Sequence, residues 1–538
     1  MRPGRGIAAA VVLLSAGAAA FFGYRMLTAS QGTGEPSAAP LIAAPSPSET
    51  VEPTLAWGPT ETEWEQALAD AGALPLDRAA GQVLVPSWTS TDAAGAAALV
   101  TDLHVGGLIF MSAALTDTGQ AAELTARVQA AGEEDDRDWP VIVSLDQEGG
   151  TVARLANLIP DMPGFMAAGS IQDKSLVTDA HRDLAADLAA LGFNLDYAPV
   201  ADVTIGMADP VIRVRSAGSD PANVSATVVA AVEGLVDGGV VPAVKHFPGH
   251  GSVTSDSHSS LPVQAATVAQ LEERDIIPFR DAISAGAPVV MMGHIAVPEW
   301  GSGPATVTPA SYAYVRDELG FTGVIVTDAL NMEAVAASYG PGEAAVAALA
   351  AGADLLLMPA DPAAAHAAIV AAVNSGALPR ERLDEAAARS ILLMRWQASL
   401  DGASPAEPTH AADFIAHATT VASASCGGPF VGSSVRITGG FQGERDALAA
   451  ALAEYGIASG SGTHIRLLGA PDGSDTADVV VAMDGPWGLP ASSATTYVGL
   501  YGRSDDAMAG LAAVLAGATA PGGTWPVDLS GIPYAVCS

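Results

Sequence analysis

The sequence predicts an α/β protein, a (β/α)8 TIM-type barrel followed by a smaller C-terminal α/β sandwich, on three observations. Eight short Val/Ile/Leu-rich runs alternate with Ala-rich stretches of helical period between Glu61 and Leu400, the pattern of repeated strand-then-helix units. No glycine-rich phosphate loop follows the first run, which favours a closed barrel over an open doubly wound sheet. From Ser433 the alternation resumes on a smaller scale, beyond a Pro- and Ala-containing stretch around Ser404 to His410, so a second, smaller domain is expected.

In chain order, Arg2 and Arg5 precede an uncharged stretch from Ile7 to Phe22, the charged and apolar regions of an export signal. Residues 1–27 are therefore read as a signal peptide or signal anchor; the stretch falls just short of a span of roughly 20 residues, so cleavage and retention are both open. An exported protein of the cell envelope or extracellular space follows, touching membrane only through this segment. Residues 28–60, with Pro36, Pro40, Pro45, Pro47 and Pro53 among Ala and Ser, read as a tether. The barrel is assigned 61–400, with strands at Gln82 to Pro86, Gly107 to Met111, Val141 to Leu145, Asn194 to Pro199, Val241 to His246, Val289 to Gly293, Gly323 to Thr327 and Asp354 to Met358. The second domain is assigned 401–538. Its elements are strands at Val435 to Thr438, His464 to Leu468, Val479 to Met483 and Tyr497 to Tyr501, and helices at Glu444 to Tyr455 and Asp505 to Leu515. Cys426 and Cys537, the only cysteines, form an even pair that an oxidising compartment would close into a disulfide.

The 59 acidic and 23 basic residues give a formal charge of -36, which repels nucleic acid and anionic lipid surfaces. A soluble monomer without metal or cofactor is expected.

In a barrel of this kind chemistry sits in the loops after the strands. The third run ends in Asp146-Gln147-Glu148-Gly149-Gly150, followed by Arg154. The fifth ends in Lys245-His246-Phe247-Pro248-Gly249-His250 and runs on to Asp256-Ser257-His258; the sixth ends at His294 and the seventh at Thr327-Asp328. Lys245 is one of only two lysines, the other being Lys174, so a compact ammonium is wanted there. Three of the ten histidines fall between positions 246 and 258. Their spacing is not a zinc pattern. Hydrogen-bonded ties are credible for His250 and His294. Asp256 and His258, separated by one residue on a Ser-rich loop, suit a carboxylate orienting an imidazole for proton transfer. Asp328 reads equally as a nucleophile and as a strand-end helix cap.

Lys245 to His258 (KHFPGHGSVTSDSH), Asp146 to Leu155 (DQEGGTVARL) and Val326 to Met332 (VTDALNM) resemble the bacterial β-N-acetylglucosaminidases of glycoside hydrolase family 3. The resemblance implies that Asp328 is the nucleophile and that His258, oriented by Asp256, is the acid/base. It also implies that Asp146, Arg154, Arg215, Lys245 and His246 bind the terminal sugar of a carbohydrate substrate. A retaining release of terminal β-linked N-acetylglucosamine follows, and, with export, peptidoglycan fragments as substrate. Three positions depart from the pattern of many relatives: Ser252-Val253 stands where they have Asp-Thr, and Arg213 where they have Gly. A β-glucosidase, an N-acetylglucosaminide phosphorylase of the same family and an inactive wall-anchored glycan-binding protein are the alternatives. In family glucosidases the second domain supplies an acid/base glutamate; here the Asp-Ser-His loop fills that role, so the second domain is read as structural or as a cell-surface contact.

Overall fold

The computed structural model describes residues 52–402 and 410–537; the expected export segment and most of the expected tether lie outside them. Eight parallel strand positions form a closed barrel, at Leu84–Val85 with Ser87–Trp88, Gly107–Phe110, Ile142–Leu145, Leu195–Asp196, Val241–Phe247, Val289–Met292, Val324–Thr327 and Leu356–Leu357. The first strand is split at Pro86, which has no N–H to give to a ladder. Its first half pairs with the last strand (Leu84 with Leu356) and its second half with the strand after it (Ser87 with Ile109). A bridge between Val326 and Leu355 completes the ring. The inner strands are buried along their whole length, as strands covered by helices on the outside and by one another inside must be. Part of the acidic bias has a local use: Asp92, Asp117, Asp173, Asp220 and Asp361 each cap a helix N-terminus through a side-chain oxygen, worth about 1 kcal/mol apiece.

Residues 52–60, expected as the last part of a tether, are fastened to the barrel. Thr54 bridges to Thr60, Trp57 is buried and meets Trp396 edge to face at 5.3 Å, and Thr60 closes a capping box with Glu63 on helix Glu61–Ala73. The apolar surface of Leu55 and Trp57 fastens this segment to the barrel in spite of its Pro- and Ala-rich neighbourhood.

The second domain is a six-stranded sheet in which Ser434–Gly439, Ala458–Ser459, Thr463–Leu468, Val479–Ala482 and Thr496–Gly499 run parallel. The sixth strand, Thr420–Ser423, runs antiparallel at the edge and, with the helix His410–Ala418 before it, lies upstream of the region where the sequence pattern resumes. Helices His410–Ala418 and Gln442–Glu454 both pack beside Asp505–Leu515. Leu489, Trp525 and Tyr534 pack with Ala422, Val480 and Tyr497 in a second, smaller cluster. Cys426 and Cys537 are joined, fastening the C-terminal tail to the edge strand, where Val536 bridges to Ala422.

Candidate functional site

The strand ends converge on a pocket of about 310 Å³, lined by Asp146, Glu148, Arg154, Arg215, Lys245, His246, His258 and Asp328 with apolar walls from Ile109, Met291 and Leu357. Every sugar-binding residue expected from the sequence lies on it.

Its charged side is a network. The Lys245 ammonium, at the end of a fully buried strand, donates to Asp146 Oδ1 at 2.8 Å and lies 2.6 Å from Glu148 Oε1. Arg154 donates to Asp146 Oδ2 at 3.0 Å. Arg215 forks onto both oxygens of Glu148, each at 2.8 Å, the bidentate geometry that only a guanidinium supplies. Burial alone would raise the Glu148 carboxyl and lower the Lys245 ammonium. Arg215 and Lys245 outweigh it for the first and hold Glu148 well below the usual carboxylate range; Asp146 and Glu148 outweigh it for the second and raise Lys245. Both stay charged.

His246 is fixed from behind. Its Nδ1–H donates to Asp202 Oδ2 at 2.7 Å, and Asp202 Oδ1 accepts the backbone N–H of His250 at 2.6 Å. Burial would raise Asp202, but the charge and hydrogen bond of His246 outweigh it and keep the carboxyl below its ordinary value. The Nε2 atom of His246 is left to the pocket, 3.5 Å from an Arg215 nitrogen. Asp202 and Glu148 are the functional residues that motif reading missed. A signal exists for both: an ionisable side chain inside the apolar run Tyr197 to Val203, and a second carboxylate two residues after Asp146.

Asp328 follows strand Val324–Thr327 and is recessed but open to the pocket. Burial would raise its carboxyl. The charges of His294 and His246, the N–H of Ala329 (2.7 Å to Oδ1) and Lys245 outweigh burial and lower it to about 2. The next helix, Glu333–Ala336, is preceded by Met332 at its cap position, so Asp328 does not serve as its cap. Directly behind, His294 is buried and donates from Nε2 to the Ala329 carbonyl at 2.8 Å, tying down the turn that carries Asp328.

Asp256 and His258 sit on the loop after Val241–Phe247. Asp256 Oδ1 accepts both the backbone N–H and the Nδ1–H of His258, each at 2.8 Å, which leaves Nε2 as the ring nitrogen not engaged by that carboxylate. These donors outweigh burial and lower the Asp256 carboxyl. The His258 side chain is 62% exposed, as a proton-transfer group must be to reach both a substrate and water. Between them Ser257 is buried and bonded to His250 Nε2 at 2.9 Å, and burial lowers His250 to about 4. His250 and His294 thus act as ties.

Arg213 adopts φ 45°, the left-handed region that glycine enters without strain. This is the position for which the resemblance gives many relatives a glycine. Its Nε donates to the Asp209 carbonyl at 2.9 Å. Among the described residues no group of three or more His, Cys, Asp or Glu side chains is arranged to hold a metal ion.

A (β/α)8 barrel whose strand-end loops assemble a charged pocket of carboxylates, cations and imidazoles carries its site where the barrel enzymes carry theirs, at the C-terminal ends of the strands. Residues 75–393 match the glycosyl hydrolase family 3 N terminal domain, and the chain belongs to that family. Beta-hexosaminidase LpqI of Mycobacterium tuberculosis is 36% identical over 308 residues, 55% of this chain and 78% of the relative. Beta-hexosaminidase A of Pseudoalteromonas piscicida is 33% identical over 279 residues, 48% of this chain, and the match spans only 47% of that longer protein. Among solved structures, a glycoside hydrolase family 3 beta-N-acetylglucosaminidase from Paenibacillus sp. str. FPU-7 superposes with TM-score 0.75 at 30% identity, covering 86% of this chain and 100% of its own. The M. tuberculosis LpqI structure superposes with TM-score 0.57 at 35% identity, covering 61% of this chain and 96% of its own.

Proposed function

We propose that this protein is a retaining glycoside hydrolase that releases terminal β-linked N-acetylglucosamine, with Asp328 as nucleophile and the Asp256–His258 pair as acid/base. The observation that carries the reading is an ionised Asp328 facing a pocket whose mouth carries an imidazole already oriented by a carboxylate. The names of the hexosaminidase relatives support the substrate class.

Asp328 attacks the anomeric carbon while His258 protonates the departing oxygen, giving a covalent glycosyl-enzyme; His258, now neutral, takes a proton from water, which releases the sugar with its configuration retained. An imidazole in place of the usual second carboxyl can give and take a proton at neutral pH. Asp146, Arg154, Arg215, Lys245 and His246 hold the terminal sugar through directional, charge-assisted hydrogen bonds that read hydroxyl positions.

The Arg2–Phe22 pattern supports export to the cell envelope or beyond, cleaved or anchored, and with it a role in peptidoglycan turnover on N-acetylglucosamine-terminated fragments. The test is product analysis by NMR on defined N-acetylglucosaminyl and glucosyl substrates, with and without phosphate. The reading expects free N-acetylglucosamine with β configuration at first appearance. Inverted product, sugar phosphate or a preference for glucosides contradicts it, as does an Asp328→Ala variant that keeps parental activity.

A further inference from the structure

The loops that carry Arg154 and Arg215 continue into the seam with the C-terminal domain. Beyond Arg154 the chain reaches residues 161–164, where Asp161 N–H donates to Asp506 Oδ2 at 3.0 Å and Gly164 N–H to the Tyr501 carbonyl at 2.9 Å. The Met162 carbonyl accepts the Gly150 N–H at 2.9 Å. There is no spare room in this stack. A Cβ on Gly149 would lie 2.3 Å from the Pro163 carbonyl oxygen, and one on Gly164 would lie 3.0 Å from that of Val214 and 3.3 Å from that of Tyr501. A Cβ on Gly502 would come within 3.1 Å of Pro163 Cβ. Residues 162–164 are therefore wedged between the turn that follows Glu148, the residue before Arg215, and the Tyr501–Gly502 turn of the C-terminal domain. A second fastening lies just after Arg215, where Ser219 N–H donates to the Pro526 carbonyl at 3.0 Å.

By contrast, the bonds of Ser257 on the acid/base loop, from His250 Nε2 and from Ala334 N–H, are internal to the barrel. Among the described residues, those lining the pocket all belong to the barrel. The C-terminal domain thus touches the sugar-binding half of the site from behind and contributes no group to the pocket.

We propose that the C-terminal domain is a positioning element for substrate binding: its Tyr501–Gly502 turn holds residues 162–164, and through them the Glu148–Gly150 turn and the Val214–Arg215 segment, in the arrangement that grips the terminal sugar. The proposal rests on the glycosidase reading above. Glu148 is the transmitting group, because it is bonded to both Arg215 and Lys245, so a shift of its turn moves two cations at once. A domain serving only stability would alter melting and leave affinity alone.

The test uses the full chain. Gly502→Val places a branched side chain against Pro163, and Asp506→Asn, a milder change, weakens the acceptor of the Asp161 N–H should the first variant fold poorly. Each is assayed with aryl β-N-acetylglucosaminides of good and poor leaving groups, and free N-acetylglucosamine binding is measured by calorimetry. The expected result is a KM and a sugar dissociation constant both raised about tenfold, the equivalent of one displaced hydrogen bond, with kcat and its leaving-group dependence as in the parent. His258→Ala, run alongside, shows the opposite split. An active parent whose folded variants keep its KM and sugar affinity, whatever their melting temperatures, overturns the proposal, as does a variant that acquires the His258→Ala pattern. A parent inactive on N-acetylglucosaminides overturns the reading beneath it, and the proposal with it.

Discussion

Replacing Glu148 by Gln keeps the side chain's size and removes the charge that two cations share. The Glu148 side chain is 2% exposed, accepts two bonds from Arg215 at 2.8 Å each and lies 2.6 Å from the Lys245 ammonium. Removing one partner from a buried ion pair costs about 3–5 kcal/mol, because the remaining charge is left without compensation. Lys245 keeps Asp146 at 2.8 Å, so the low end, about 3 kcal/mol of folding stability, is the expected loss. Among the described residues Arg215 has no such reserve carboxylate at that distance, and losing one charge-assisted bond to the sugar, about 1.5–3 kcal/mol, raises KM by about ten- to a hundredfold. The sign of the pH dependence follows from the depressed Glu148 carboxyl. Its contribution is complete above the ordinary glutamate range and is lost as pH falls through the depressed value. The stability gap between parent and variant is therefore constant from neutrality down to about pH 5 and narrows only below that. Urea denaturation followed by tryptophan fluorescence at several pH values, with initial rates on an aryl N-acetylglucosaminide, checks both halves. A variant with parental stability and parental KM would refute the claim that this carboxylate organises the binding side.

Three further outcomes follow from the same geometry. His258→Ala loses about 10²–10⁴-fold in rate on substrates with poor leaving groups and little in the glycosylation step on a dinitrophenyl glycoside, which needs no protonation; an equal loss on both contradicts the acid role. Asp196 is fully buried, with Oδ1 bonded to the Gln147 N–H and Oδ2 unpartnered, and burial raises it to about 7. The native state then holds a proton that the unfolded chain releases near pH 4, so stability falls as pH rises from about 4 to 7. Asp196→Asn gains up to about 4 kcal/mol at pH 8 and nothing at pH 3, measurable by denaturation at the two pH values; a pH-independent difference contradicts it. Reducing the Cys426–Cys537 bond, which spans 111 residues, destabilises the C-terminal domain by about 2–5 kcal/mol; calorimetry showing no change with reductant would count against a stabilising role.

The barrel was legible because strands buried on both faces read as unbroken apolar runs, and each of the eight runs contains a strand position. The boundaries moved by a few residues because pairing, which no local pattern contains, decides where a strand ends; Pro86 divides the first strand for that reason. The attachment of residues 52–60 to the barrel was hidden because Leu55 and Trp57 are only two anchors in a Pro- and Ala-rich stretch. The edge strand Thr420–Ser423 was hidden because it is short and pairs with residues more than seventy positions away. In the site, Asp256 and His258 stood out by their types and clustering, and Asp328 through the family resemblance alone. Asp202 and Glu148 did not, since their meaning lies in His246 and Arg215, 44 and 67 positions distant. The helix-cap alternative for Asp328 required coordinates to dismiss, because only the cap position at Met332 excludes it.

The central claim is that Asp328 forms a bond to the sugar. Incubating the protein with a fluorinated N-acetylglucosaminyl fluoride, whose ring fluorine slows release of the glycosyl-enzyme, and sequencing the peptides by mass spectrometry tests it directly. The account predicts one adduct, on the peptide containing Val326 to Met332 and localised to Asp328. An adduct on another carboxylate, or steady turnover of the reagent by an Asp328→Ala variant, would contradict it.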